Sequence, residues 1–141
     1  MSRLHHILTR PAAHRRSAVL TALLLAAVGV VHLIDGPASL SDMAYVGVLE
    51  LALVAAVVPL AVLLCTRPLP ALWHAAGALC TLALAVFVVS RTVGLPGSAD
   101  DIGNWGQTLG LVNIATELAV IALAAHAVLL RGGRRAATRP S

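Results

Sequence analysis

Six residues of this chain could do chemistry from within apolar sequence: His32, Asp35, Glu50, Arg91, Asn113 and Glu117. An ionisable group flanked by alanine, leucine and valine must pair, hold a proton or bind something, because a lone charge in an apolar medium is costly. Arg91 can pair with Glu50 or Glu117 and so fix helix register, which is a sufficient structural reason for all three. One arginine cannot neutralise Asp35, Glu50 and Glu117 together, however. The carboxyl left over would hold a proton or bind a cation, as a proton carrier or ligand site does.

Two cofactor chemistries are open on spacing alone. His32, Glu50 and Glu117 offer one nitrogen and two oxygens to a divalent cation, with Asp35 as a further oxygen, although no H-x-x-x-H, E-x-x-H or C-x-x-C spacing accompanies them. His74 and His126 each stand about four residues inside the same end of adjacent spans, the minimal geometry for two axial ligands of a b-type haem. Few aromatics or glycine pairs are there to accommodate a porphyrin. No G-x-S-x-G or other nucleophile constellation occurs, so no catalytic residue is assigned and the chain is expected not to be an enzyme.

The elements that must position these residues are four apolar runs. With 59% hydrophobic and 11% charged residues and a mean hydropathy of +0.90, the 141-residue chain is excluded from the ordinary soluble domains. A basic flank at 1–16 precedes spans at about 17–34, 43–65, 71–93 and 108–130, and a basic tail follows at 131–141. The motif Asp35-Gly36-Pro37 predicts a turn over 35–42, with Ser41 or Asp42 capping the next helix. Pro59 predicts a bend in span two near Ala55. Trp73, His74 and Trp105 are expected at membrane interfaces, and 94–107 is the longest loop.

All ten basic residues are arginines, and nine of them fall on one side if both termini are cytoplasmic, with Asp35, Asp42, Asp100 and Asp101 on the other. The fold class is therefore all-α, a four-helix transmembrane bundle. Arginine without lysine among abundant alanine, leucine and valine points to a GC-rich bacterium, and so to a multi-pass protein of the bacterial plasma membrane. The first span is expected to be retained rather than cleaved, since its loss would break the alternation of crossings. The arginines flank spans and lack interleaved aromatics, which argues against nucleic acid as a partner. Cys65 and Cys80 are expected as free thiols.

Spans two and four share Glu50-Leu51-Ala52-Leu53-Val54-Ala55 and Glu117-Leu118-Ala119-Val120-Ile121-Ala122, as a duplicated hairpin would. Helical spacing puts Gly106, Gly110, Asn113, Glu117 and Ala124 on one inward stripe of span four, and His74, Gly77, Thr81, Leu84, Val88 and Arg91 on one of span three. His32 and Asp35 share a face at the outer end of span one, with Glu50 roughly 10 Å below the start of span two and Glu117 deeper.

The run Ser90-Arg91-Thr92-Val93-Gly94-Leu95-Pro96-Gly97, then Asp101-Ile102-Gly103-Asn104-Trp105 and Leu109-Gly110 through Glu117, resembles a group of small four-span membrane proteins common in actinobacteria. That group has an S-R-T-x-G-L-P-G turn, a D-x-G-N-W loop and a glutamate in its last span. The resemblance extends to His32 and to Tyr45-Val46-Gly47, and implies the four-span fold with His32, Arg91, Gly94, Pro96, Trp105 and Glu117 at pattern positions. It implies no particular activity. Gly47-Val48-Leu49-Glu50 is also faintly similar to the DoxX-type four-helix membrane proteins.

The function expected is a non-enzymatic membrane component whose outer-leaflet cavity binds a small polar ligand, a cation or a partner helix, as an accessory or binding subunit. The alternative is a proton-coupled or quinone-linked transporter or oxidoreductase using the buried carboxyls. Expected partners are the lipid bilayer and a homo-oligomer or larger membrane complex, since thin alanine-rich helices offer flat surfaces.

Overall fold

Long unbroken apolar runs satisfy their backbone polar groups best as helices, and four helices form. The computed structural model describes residues 2–137, with side chains over 15–130. The flanking arginines outside 15–130, with His5, His6 and His14, thus lie outside the described side chains. The helices are α1 (Ser2–Asp42), α2 (Ala44–Thr66), α3 (Pro70–Thr92) and α4 (Thr108–Ala137). Each contains a stretch long and apolar enough to cross a membrane: Arg15–Asp42, Ala44–Thr66, Pro70–Thr92 and Thr108–Leu130. Large apolar side chains such as Leu23, Leu33, Val48, Leu82 and Leu111 cover the outside of the bundle, as lipid contact requires. The chain is a multi-pass membrane protein.

The helices pack as two hairpins, α1 on α2 and α3 on α4, joined mainly through α1 and α4. Of the neighbouring pairs, α2 and α3 touch least. A dry core fills the end away from the long loop, built from Leu25 and Val28 of α1, Val57, Leu60 and Leu64 of α2, Trp73, Ala76 and Cys80 of α3, and Val120 and Ala124 of α4. Cys80 is buried and Cys65 exposed, and both thiols are free. Helix α2 runs through Pro59 without interruption.

The predicted turn at 35–42 does not form. Helix α1 continues through Gly36-Pro37 to Asp42, and Met43 alone joins it to α2. Tertiary packing overrides the turn signal: a Cβ on Gly47 would stand 2.5 Å from the Leu40 backbone nitrogen, so only glycine lets α2 start this close to the last turns of α1. The N-cap of α2 is Met43, with no side-chain cap, and the Ser41 hydroxyl donates back to the Pro37 carbonyl at 3.2 Å instead.

The inward stripe of α4 forms at Gly110, Asn113, Glu117 and Ala124, completed by Val120 and Ala127. Gly106 lies before the helix and is exposed. Helix α3 keeps Arg91 of its expected face buried and Gly77 against Ala124, but in its first half the buried residues are Trp73, Ala76 and Cys80, each one position earlier than expected, and His74, Thr81 and Val88 are exposed. Trp73 is wholly buried, not interfacial. Packed between the helices, that indole makes more van der Waals contact than an imidazole would, which favours this rotation in lipid.

Candidate functional site: a polar cavity beneath the long loop

At the loop end the four helices enclose a cavity of about 380 Å³. Its polar wall is made by His32, Asp35, Glu50, Arg91 and Asn113, five of the six residues singled out from the sequence, with Tyr45, Ser90, Asp101 and Gln107. Its apolar wall is made by Leu49, Ala52 and Leu53 of α2 and Leu79, Leu82, Ala83 and Val86 of α3. The remaining expected residue, Glu117, does not line the cavity and is fully buried on α4.

The long loop is shaped by its glycines. Gly94 (φ 82°) leaves α3 and donates to the Val89 carbonyl at 3.0 Å, a left-handed helix stop. Leu95-Pro96-Gly97-Ser98 then forms a tight turn with Pro96 second and Gly97 (φ 83°) third, as a type II turn requires. The Tyr45 hydroxyl donates to the Pro96 carbonyl at 2.7 Å, tying the turn to the start of α2. Gly103 donates to the Arg91 carbonyl at 2.9 Å, which brings Asp101 over the end of α3.

Arg91 therefore does not pair with Glu50 or Glu117. Its Nη1 pairs with Asp101 Oδ1 at 2.5 Å, its Nη2 donates to Gln107 Oε1 at 3.0 Å, and its guanidinium lies 4.8 Å from the Phe87 ring centroid. Phe87 in turn meets Trp105 edge-on, with centroids 6.2 Å apart. The partner of Arg91 could not be recognised from sequence, because Asp101 belongs to a loop whose path depends on three glycines in positive φ. Gln107 and Tyr45 had no charge to mark them.

Glu117 stands apart from Arg91, beside α1. His32 Nε2 lies 3.6 Å from Glu117 Oε1. The continuation of α1 explains the match in depth: His32 is ten residues from the end of α1 at Asp42, and Glu117 is nine from the start of α4 at Thr108, so both lie about 14 to 15 Å inside the loop end. Glu50 receives a hydrogen bond from Ser39 and feels the charges of His32, Asp35 and Asp101.

Several buried polar atoms along this site have no hydrogen-bond partner: Glu50 Oε2, Arg91 Nε, Asn113 Oδ1 and both Glu117 oxygens. Such groups are expensive unless something satisfies them. Among the described residues, no group of three or more His, Cys, Asp or Glu side chains is arranged to hold a metal ion, so His32, Glu50 and Glu117 do not converge as a ligand set. His74 and His126 are both exposed on the outside of the bundle at the far end, away from its interior. That placement provides no enclosed slot for a haem. Comparison with models of known families, with curated proteins and with solved structures finds no match for this chain.

Proposed function

We propose that this chain is a non-enzymatic, multi-pass protein of a bacterial plasma membrane, with both termini in the cytoplasm and the cavity in the outer leaflet. There it binds a small polar ligand or cation, as a binding or accessory subunit, and the sequence pattern shared with the actinobacterial four-span group marks that architecture. The observation that carries this reading is the cavity's unsatisfied wall. Asn113 is 3% exposed and Arg91 8%, yet Asn113 Oδ1 and Arg91 Nε have no partner. A ligand with donors and acceptors would satisfy both once the side chains turn these atoms toward it. A partner helix fits less well, because a space of about 380 Å³ suits a small molecule rather than a helix of about 10 Å diameter.

A second reading rests on one pair. Glu117 is fully buried with His32 Nε2 3.6 Å away, and His32 lines the cavity, so an imidazole that closed this gap to hydrogen-bond distance would link the carboxyl to a bound substrate or quinone. The test for both readings is thermal stability of purified protein with divalent cations, haem or a quinone. A midpoint raised by one additive, with the gain lost in Glu50→Gln, supports binding and gives the ligand class. No shift with any additive, together with equal losses of stability in Glu50→Gln, Arg91→Met and Glu117→Gln, makes the cluster purely structural.

A further inference from the structure

The cavity reaches the outside of the bundle sideways. Leu49 on α2 and Leu82 and Val86 on α3 line it and are at the same time 56%, 64% and 40% exposed. These residues flank the α2–α3 seam, where the helices touch least. In a membrane that seam faces acyl chains, so the cavity is continuous with the bilayer on its apolar side while its polar side lies under the loop.

The charges on the polar side do not cancel. Arg91 is balanced by Asp101, and His32 faces Glu117 at 3.6 Å. Asp35 and Glu50 both line the cavity and have no ion-pair partner among the described residues. Beside them Asn113, 3% exposed, lines the same cavity, and its Oδ1 has no hydrogen-bond partner. The two carboxyls repel a phosphate or carboxylate and attract a donor-rich cation.

Resting on the binding reading above, we infer that the cavity takes a hydrophobic organic cation: an ammonium head at Asp35 and Glu50, with an apolar body lying through the α2–α3 seam toward lipid. At about 30 Å³ per water the cavity holds roughly a dozen waters, room for an ammonium group and several methylenes.

The full chain in lipid nanodiscs is tested for binding of tritiated decylammonium above the background of empty discs, with competition by unlabelled decylammonium, decyl phosphate, decanol and methylammonium. Saturable binding is expected. Decylammonium should compete at least tenfold better than the other three. Glu50→Gln and, as a second variant, Asp35→Asn should each weaken binding at least tenfold while keeping the helical circular dichroism of the wild type. Equal competition by decanol or decyl phosphate overturns the cationic head but leaves a binding cavity, and equal competition by methylammonium overturns the apolar body and its lateral route. Wild-type affinity in a folded Glu50→Gln or Asp35→Asn protein overturns the site. If nothing binds saturably the inference fails, and the binding reading is judged separately by its own thermal shifts with divalent cations, haem and quinone.

Discussion

Arg91 and Asp101 form an ion pair that closes the long loop over the polar end of the bundle, so the arginine inside the third span is neutralised from outside that span. The glutamates are thereby released from a structural duty to Arg91. Glu50 is left with Ser39, and Glu117 with His32.

The first consequence concerns that pair. Asp101→Asn leaves a buried guanidinium without its counter-charge, and a loss of about 1–3 kcal/mol is expected. This is less than for a fully buried pair, because Asp101 remains 42% exposed. A double-mutant cycle by chemical unfolding in detergent should give clear coupling between Arg91 and Asp101 and near-zero coupling between Arg91 and Glu50. The reverse order would restore the pairing expected from sequence.

The α1–α2 hairpin depends on a close approach. Gly47→Ala should cost about 2–4 kcal/mol through backbone overpacking against Leu40, whereas Gly106→Ala, with open space around its Cβ, should change little. Comparable melting temperatures for the two variants would contradict the packing of α2 on the end of α1.

The loop is anchored by one phenol. Tyr45→Phe removes the hydrogen bond to Pro96, worth about 1 kcal/mol, and should hasten proteolytic cleavage within 94–107 without altering the global melting curve greatly. Unchanged cleavage would mean that the hydroxyl does not hold the turn.

Orientation is accessible through the thiols. Cys65 is exposed at the end of α2 and Cys80 is buried, so a membrane-impermeant maleimide should modify Cys65 alone. Labelling should occur in inverted vesicles and not in intact cells if the α2–α3 connection is cytoplasmic; labelling from outside would invert the proposed topology.

Much of the fold is legible in the sequence because membrane solvation imposes it: a run of about twenty apolar residues has few alternatives to a spanning helix. Three details are not legible, for separate reasons. The end of α1 is hidden because Gly36-Pro37 signals a turn locally, while the contact of Gly47 with Leu40 lies in tertiary space. The rotation of α3 is hidden because a helix apolar on most sides has no sharp periodicity, so the bulk of Trp73 decides what the pattern around His74 could not. The partner of Arg91 is hidden because it resides in a loop. By contrast, the α4 face from Gly110 to Ala124 is readable, since its small and polar residues recur at helical spacing. Five of the six candidate residues line one cavity for the same reason, that charged groups in apolar spans seek a common interior.

Whether the cavity exists for a ligand or only for the bundle is tested most directly at Asn113. A buried carbonyl oxygen without a partner lowers the stability of the ligand-free protein, so a leucine of similar volume should remove that cost. Asn113→Leu is expected to melt at or above the wild-type temperature while losing any stabilisation by added ligand. If Asn113→Leu instead melts several degrees lower, Asn113 is a structural strut and the cavity is not a binding site.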